Sequence, residues 1–311
     1  MGVPFVDLFD LHCDTLSKCL ESNGSLYDGE FDFNIAKTRT YNKRCQTFAA
    51  FIPDQYRGEA AFEYYKKLRN CLYNQLEKYS DYMSLCRSSD EIKKTVSDGK
   101  LAALFSVENA AALGGKIENI QTLYNDGVRI MSLTWNDDNE LAGGIRGSGM
   151  GLTELGKNAV CEMNRLGIII DVSHLSDRGF DDVCGMGVAP IIATHSNLRS
   201  INENKRNLTE RQFLKIIETG GIAGINFYTD FLGERPFESS FSHVYRMLSL
   251  GGEDNIAIGS DFDGADFDEK LNSVEKVYNL AEYLSSMGLS DSVIEKIMFN
   301  NALRVLGVMK K

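Results

Sequence analysis

The chain has 311 residues, 43% hydrophobic and 25% charged, with a formal charge of -11. This is the make-up of a globular protein with ample material for a core, and the negative charge with no basic stripe to neutralise phosphates argues against a nucleic-acid backbone as partner. No apolar run is long enough to span a bilayer, no basic-then-apolar leader opens the sequence, and seven cysteines are scattered without a C-x-x-C pair. A reduced, soluble, cytoplasmic protein with no membrane partner is therefore expected.

In chain order, short apolar, β-branched runs recur as strand candidates. They are "PFVDLFDLH" (4–12), "CQTFAAFI" (45–52), "LAALFSVE" (101–108), "VRIMSLTW" (128–135), "GIIIDVSH" (167–174), "APIIATHS" (189–196), "GIAGINFY" (221–228) and "NIAIGSDF" (255–262). Amphipathic stretches separate them, such as 57–81 and 152–167; in the second, Leu155, Ala159, Val160, Met163 and Leu166 share one helical face. The last helix, "SDSVIEKIMFNNALRVLG", begins at a Ser/Asp cap and stops at Gly307. Near-continuous apolar strands alternating with helices imply a parallel sheet covered on its outside. Eight such units predict an α/β fold, a single (β/α)8 TIM barrel over residues 1–311 ending in a C-terminal helix. A doubly wound sheet would want a Gly-rich first turn, which "LHCDTLS" does not supply.

The residues at the strand ends carry the chemistry. The first run ends in His12, with Asp14 two positions on; the third ends in Glu108, the fourth in Trp135, the fifth in His174, the sixth in His195 and the eighth in Asp261. In a barrel these ends converge on one face. A single strand-end histidine is most simply a hydrogen-bonded structural group. Here three of the chain's four histidines and three acids are gathered together, and burying that many ionisable groups without a cation is costly. Imidazole and carboxylate donors without sulfur suit Zn2+, with Mn2+, Co2+ and Fe2+ also compatible. The donors outnumber the needs of one tetrahedral ion, so two ions per chain are expected, with Glu108 between them; such pairs activate a shared water.

"DLHCD", "SVEN", "LGIIIDVSH", "IIATHSN", "KRNL" and "IGSDFDG" follow one another, and this ordered set resembles the membrane (renal) dipeptidase family of zinc peptidases along essentially the whole chain. The resemblance implies a metal-dependent dipeptidase on a (β/α)8 barrel, with a homodimer as a partner state the family often shows. It implies that His12 and Asp14 bind a first zinc, that Glu108 bridges, and that His174 and His195 bind a second. Arg206, in "NKRNL", would hold the dipeptide carboxylate, and Asp261 would sit near the substrate amine as proton shuttle. A hydroxide bridging the two zinc ions would attack the peptide bond. Read on its own, a guanidinium fork after a metal-bearing strand suits bidentate capture of a free carboxylate, and Asp261 beside two cations should have a depressed pKa. The chain departs from the family at Trp135, where better-known members carry a histidine that contacts substrate; an indole cannot titrate there. Trp135 is either a substrate contact or a wall of the pocket. This departure keeps open a binuclear hydrolase of another small amide, lactam or ester, and a non-catalytic metal- or ligand-binding relative is the remaining alternative.

Other signals are weaker. "DFDGADFDE" (261–269) places Gly264 wrongly for an EF-hand, so calcium is rejected. "GGIRGSGMG" (143–151) lacks the P-loop lysine and reads as a flexible loop over the site. His243 lies far from any strand end and reads as structural. No nucleophile motif for covalent catalysis is present.

Overall fold

The computed structural model describes residues 6–307, so positions 4 and 5 of the first expected strand lie outside the described residues. Nine strands are found among the described residues: β1 (Leu8–Cys13), β2 (Arg44–Phe51), β3 (Met83–Leu85), β4 (Leu101–Glu108), β5 (Val128–Ser132), β6 (Ile169–Asp171), β7 (Ile191–Ile192), β8 (Ala223–Ile225) and β9 (Ile256–Ile258). Their ladders are all parallel and run in the order β7-β6-β5-β4-β2-β1-β9-β8. A parallel bridge from Ala193 to Ala223 joins the two outer edges and closes the ring. The result is an eight-stave (β/α)8 barrel, as the alternation of apolar runs and helices predicts. β3 pairs with the start of β4 outside the ring.

At the closing seam the strands approach without side chains between them. A Cβ on Gly224 would lie 2.0 Å from the Thr194 carbonyl oxygen, and one on Gly259 only 1.8 Å from it. Glycine is required at both points by this close approach.

Side-chain alternation sorts the strands into an inner and an outer core. Phe9, Cys45, Leu104, Ile130, Ile169, Ile192 and Ala257 form one buried cluster with Phe299, Ala302, Val305 and Leu306 of the last helical segment. Phe9 and Phe299 meet at 5.8 Å between ring centroids, so the C-terminal helix plugs the barrel at the end where the strands begin. Along β4, Ala102 and Leu104 belong to this interior cluster, and the two-residue period carries Ser106 and Glu108 onto the same face at the opposite end. The expected final helix contains a π turn at Lys296–Asn300. Just after it, Asn301 donates to the carbonyls of Ile256 and Glu253, tying the plug to β9.

The surrounding helices start where the sequence offers caps. Ser88, Thr153, Ser176 and Ser290 each accept a backbone N–H of the turn that follows, and Thr209 forms a reciprocal capping box with Gln212.

Several strands are shorter than their apolar runs. β6 stops at Asp171, β7 at Ile192 and β9 at Ile258, so His174, His195 and Asp261 stand three residues beyond their strands. Beyond the strand ends the backbone turns left-handed at His174 (φ 66°) and Asp261 (φ 69°). Such conformations cost on the order of 1 kcal/mol or more for a residue with a Cβ, and they concentrate at functional sites.

Candidate metal centre

The barrel mouth brings together His12, Asp14, Glu108, His174, His195 and Asp261, all of them buried. Glu108 stands between two groups of donors. Its Oε1 lies 2.8 Å from His174 Nε2 and 3.6 Å from His195 Nε2. Its Oε2 lies 3.4 Å from His12 Nε2. His12 Nε2 is also 3.6 Å from Asp14 Oδ2 and 3.7 Å from Asp261 Oδ1. Ligand atoms of His12, Asp14 and Asp261 all fall within 4.8 Å of one another, as do those of His12, Glu108 and His195. Asp261 therefore joins the first donor group, where the sequence placed only His12 and Asp14.

The far nitrogens of the histidines are held by the protein. His195 Nδ1 lies 2.7 Å from Thr194 Oγ1, which donates to Asp171 Oδ2 at 2.5 Å. His174 Nδ1 lies 3.2 Å from Asn136 Oδ1. With both Nδ1–H groups donating, the two Nε2 lone pairs face each other across 3.0 Å, beside a carboxylate oxygen. Two lone pairs at that separation repel unless a cation lies near both. His12 Nε2 and Asp14 Oδ1 are buried with no hydrogen-bond partner, which is a cost a cation would remove. The residues present fit a metal.

The electrostatics agree in direction. Burial, with His12 and Arg206 nearby, pulls His174 and His195 well below the ordinary histidine range, so both are neutral donors. Burial also pushes Glu108 up to about 7 against the opposing pull of His12. Burial opposes charge on His12 too, but Glu108 and Asp14 outweigh it and raise its pKa well above the usual value. In the protein alone burial raises the pKa of Asp261, with Asp14 adding to the effect and His12, the Asn226 hydrogen bond and Arg206 opposing it. The expected depression belongs to a carboxylate beside two bound cations, whose charge would add to the pull of His12 and Arg206.

Arg206 is buried beside the centre. Its Nη1 donates to Ser196 Oγ at 2.6 Å and its Nη2 to the His195 carbonyl at 3.0 Å, while Nε has no partner. Trp135 packs edge-on against Phe51 at 4.8 Å and 6.3 Å from the His174 ring, forming a wall of a cavity of about 800 Å³ that also contains Glu108, His174 and Asp261. His243 is placed as expected of a structural residue: Nδ1 accepts from Leu198 N–H and Nε2 faces the Leu232 carbonyl.

The 143–151 loop borders the cavity through Arg146, but it is not the loose segment its glycines suggested. Gly144 N–H and Ser148 N–H donate to the Asp138 carboxylate, Ile145 N–H to the His174 carbonyl and Arg146 N–H to the Asn136 carbonyl. Sequence reading missed the groups behind the donors: Asn136, Thr194, Asp171, Asn226 and Asp10. Asp10 accepts from Ser260 and Gln46 and so fixes β1 against its two neighbours. The signal was present in "DLH" and "DVSH", where a carboxylate interrupts an apolar run just before each histidine.

Among the described residues no helix is long and apolar enough to cross a membrane. Residues 5–311 match the family model of membrane dipeptidase, peptidase family M19. A Klebsiella pneumoniae protein described as an uncharacterized protein in the pqqA 5' region is 33% identical over 238 residues, 72% of this chain and 88% of that one. Dipeptidase verJ of Clonostachys rogersoniana is 32% identical over 76% of this chain, and the match spans 62% of its own length, under two thirds. In structure, a metallopeptidase from Rhodobacter sphaeroides, solved with a phosphinate mimic of the dipeptide L-Ala-D-Ala, superposes with a TM-score of 0.92 at 26% identity, covering 98% of this chain and 100% of that one. With its barrel, its donor cluster and a family match along nearly its whole length, the chain belongs to peptidase family M19, the metal-dependent membrane dipeptidases.

Proposed function

We propose that the protein is a dipeptidase that works with two cations, zinc by the nature of its donors, held by His12 and Asp14 on one side and His174 and His195 on the other, with Glu108 shared. The observation that carries this reading is the pair of facing Nε2 atoms 3.0 Å apart beside a carboxylate whose two oxygens point to different histidines. When bound, such ions supply a hydroxide nucleophile near neutral pH and polarise the scissile carbonyl.

The chain's own residues do the rest. Arg206 takes the substrate's terminal carboxylate in a guanidinium fork, which limits the substrate to two residues. Asn226 holds Asp261 Oδ2 at 2.9 Å, leaving Oδ1 to accept a proton and pass it to the leaving amine. Trp135 shapes the wall and excludes water. Since the Rhodobacter sphaeroides relative was solved with an L-Ala-D-Ala mimic, L-Ala-D-Ala and L-Ala-L-Ala are the first substrates to assay. Hydrolysis should disappear with chelator and return with Zn2+, with about two metal equivalents bound per chain; turnover indifferent to chelator overturns the reading. The indole at position 135 also favours testing lactams and N-acyl amino acids in the same panel. Arg206→Ala should raise KM by about ten- to a hundredfold with a smaller change in kcat, since a charge-assisted hydrogen bond is worth ~1.5–3 kcal/mol. Steady-state kinetics on L-Ala-L-Ala will measure it.

A further inference from the structure

Arg146 lies outside the machinery described so far. It is exposed on the pinned 143–151 loop, and it borders both the 800 Å³ cavity of the metal donors and a neighbouring cavity of about 550 Å³ that contains Arg206. Asn136 and Phe231 also border both spaces, so Arg146 stands where one opens into the other. We propose that Arg146 is a specificity residue that pairs with a second carboxylate, making dipeptides with an acidic C-terminal residue the preferred substrates. The inference rests on the dipeptidase reading and names its substrate class.

Charge carries the argument. The Arg206 cavity is lined by three cations, Arg146, Lys205 and Arg206, against one carboxylate, Glu203. The larger cavity is also lined by acids outside the metal donors, Glu21, Glu30, Asp32, Asp263 and Asp266, with Lys18 among them. A zwitterionic dipeptide is thus oriented with its amine toward the acids and its α-carboxylate toward Arg206. One α-carboxylate matches one cation, and the excess positive charge lies at the C-terminal residue's end. Among the described residues, the Arg146 side chain has no hydrogen bond or ion pair, including with Glu203. Its backbone is nevertheless fixed by the Asn136 and His174 carbonyls on either side of the peptide link to Ile145. An unpaired guanidinium anchored at its backbone to the border of both cavities is available to receive a carboxylate.

The test compares L-Ala-L-Glu with its neutral isostere L-Ala-L-Gln, using the zinc-loaded protein. The wild type should favour L-Ala-L-Glu in kcat/KM. Arg146→Ala should reduce the Glu-to-Gln ratio about tenfold, mainly through KM, as expected for loss of ~1.4 kcal/mol of charged hydrogen bonding. Arg146→Glu should invert the preference. A ratio near one in the wild type, an unchanged ratio in Arg146→Ala, or equal loss for both peptides overturns the assignment. The last outcome would make Arg146 a second anchor for the α-carboxylate. Failure of the wild type to cleave either peptide overturns the dipeptidase reading, and this inference with it; cleavage without discrimination overturns this inference alone. Thermal unfolding of both variants separates specificity from loss of fold.

Discussion

Glu108→Gln should remove both cation positions at once and lower kcat by about 10³-fold or more, because several kcal/mol of transition-state stabilisation depend on the ions and each ~1.4 kcal/mol is a factor of ten. The side chain sends one oxygen toward His174 and His195 and the other toward His12. An amide keeps the shape but replaces one of those oxygens with an NH2 that cannot act as a ligand. Metal analysis of the purified variant should show content falling on both sides together. The fold should survive, since the change removes a buried carboxylate that burial already disfavours in its charged form. A variant that retained one full equivalent of metal would show that Glu108 serves a single ion.

Gly264→Ala should be nearly as damaging to activity while leaving the fold intact. Gly264 is exposed, yet a Cβ there would lie 2.2 Å from Asp14 Oδ2 and 3.1 Å from Asp261 Oδ1. The Asp14 carboxylate would have to swing away from His12 Nε2, 3.6 Å distant. A shift of about 1 Å in a positioned group can cost on the order of 10²-fold in rate. The expected result is that loss in kcat, with the affinity for one ion reduced, the other kept, and a melting temperature close to wild type. Titration of the metal-stripped variant with Zn2+ will separate the two sites.

Much of this was legible in the residues. Eight apolar runs gave eight staves because a strand buried on both faces must be apolar throughout, and His12, Glu108, His174, His195 and Asp261 stood at their ends in the sequence. β3 escaped because "MSL" is three residues long and pairs outside the ring, where no length or period marks it. The strand ends were read too long because the runs continue three or four residues beyond the last ladder-paired residues, Asp171, Ile192 and Ile258, and composition does not announce where pairing stops. The loop at 143–151 looked loose because glycine content signals freedom, whereas its anchors lie on Asp138, Asn136 and His174. The role of Gly264 was hidden for a related reason: what an absent side chain avoids is a neighbour brought in by closure of the barrel.

The seam between β7 and β8 has a consequence for how two of the site residues are placed. His195 follows Thr194 just past β7, Gly224 lies in β8 on the facing bank, and Gly259, two residues before Asp261, follows β9 one stave further round. The Thr194 carbonyl oxygen occupies the space that a Cβ on either glycine would need. The gauge across this part of the mouth is thus set by main chain against main chain, a dimension that cannot adjust by rotating side chains. His195 and Asp261 therefore project from main chain whose position is fixed by the packing of the staves, and bulk added at either glycine would displace them together.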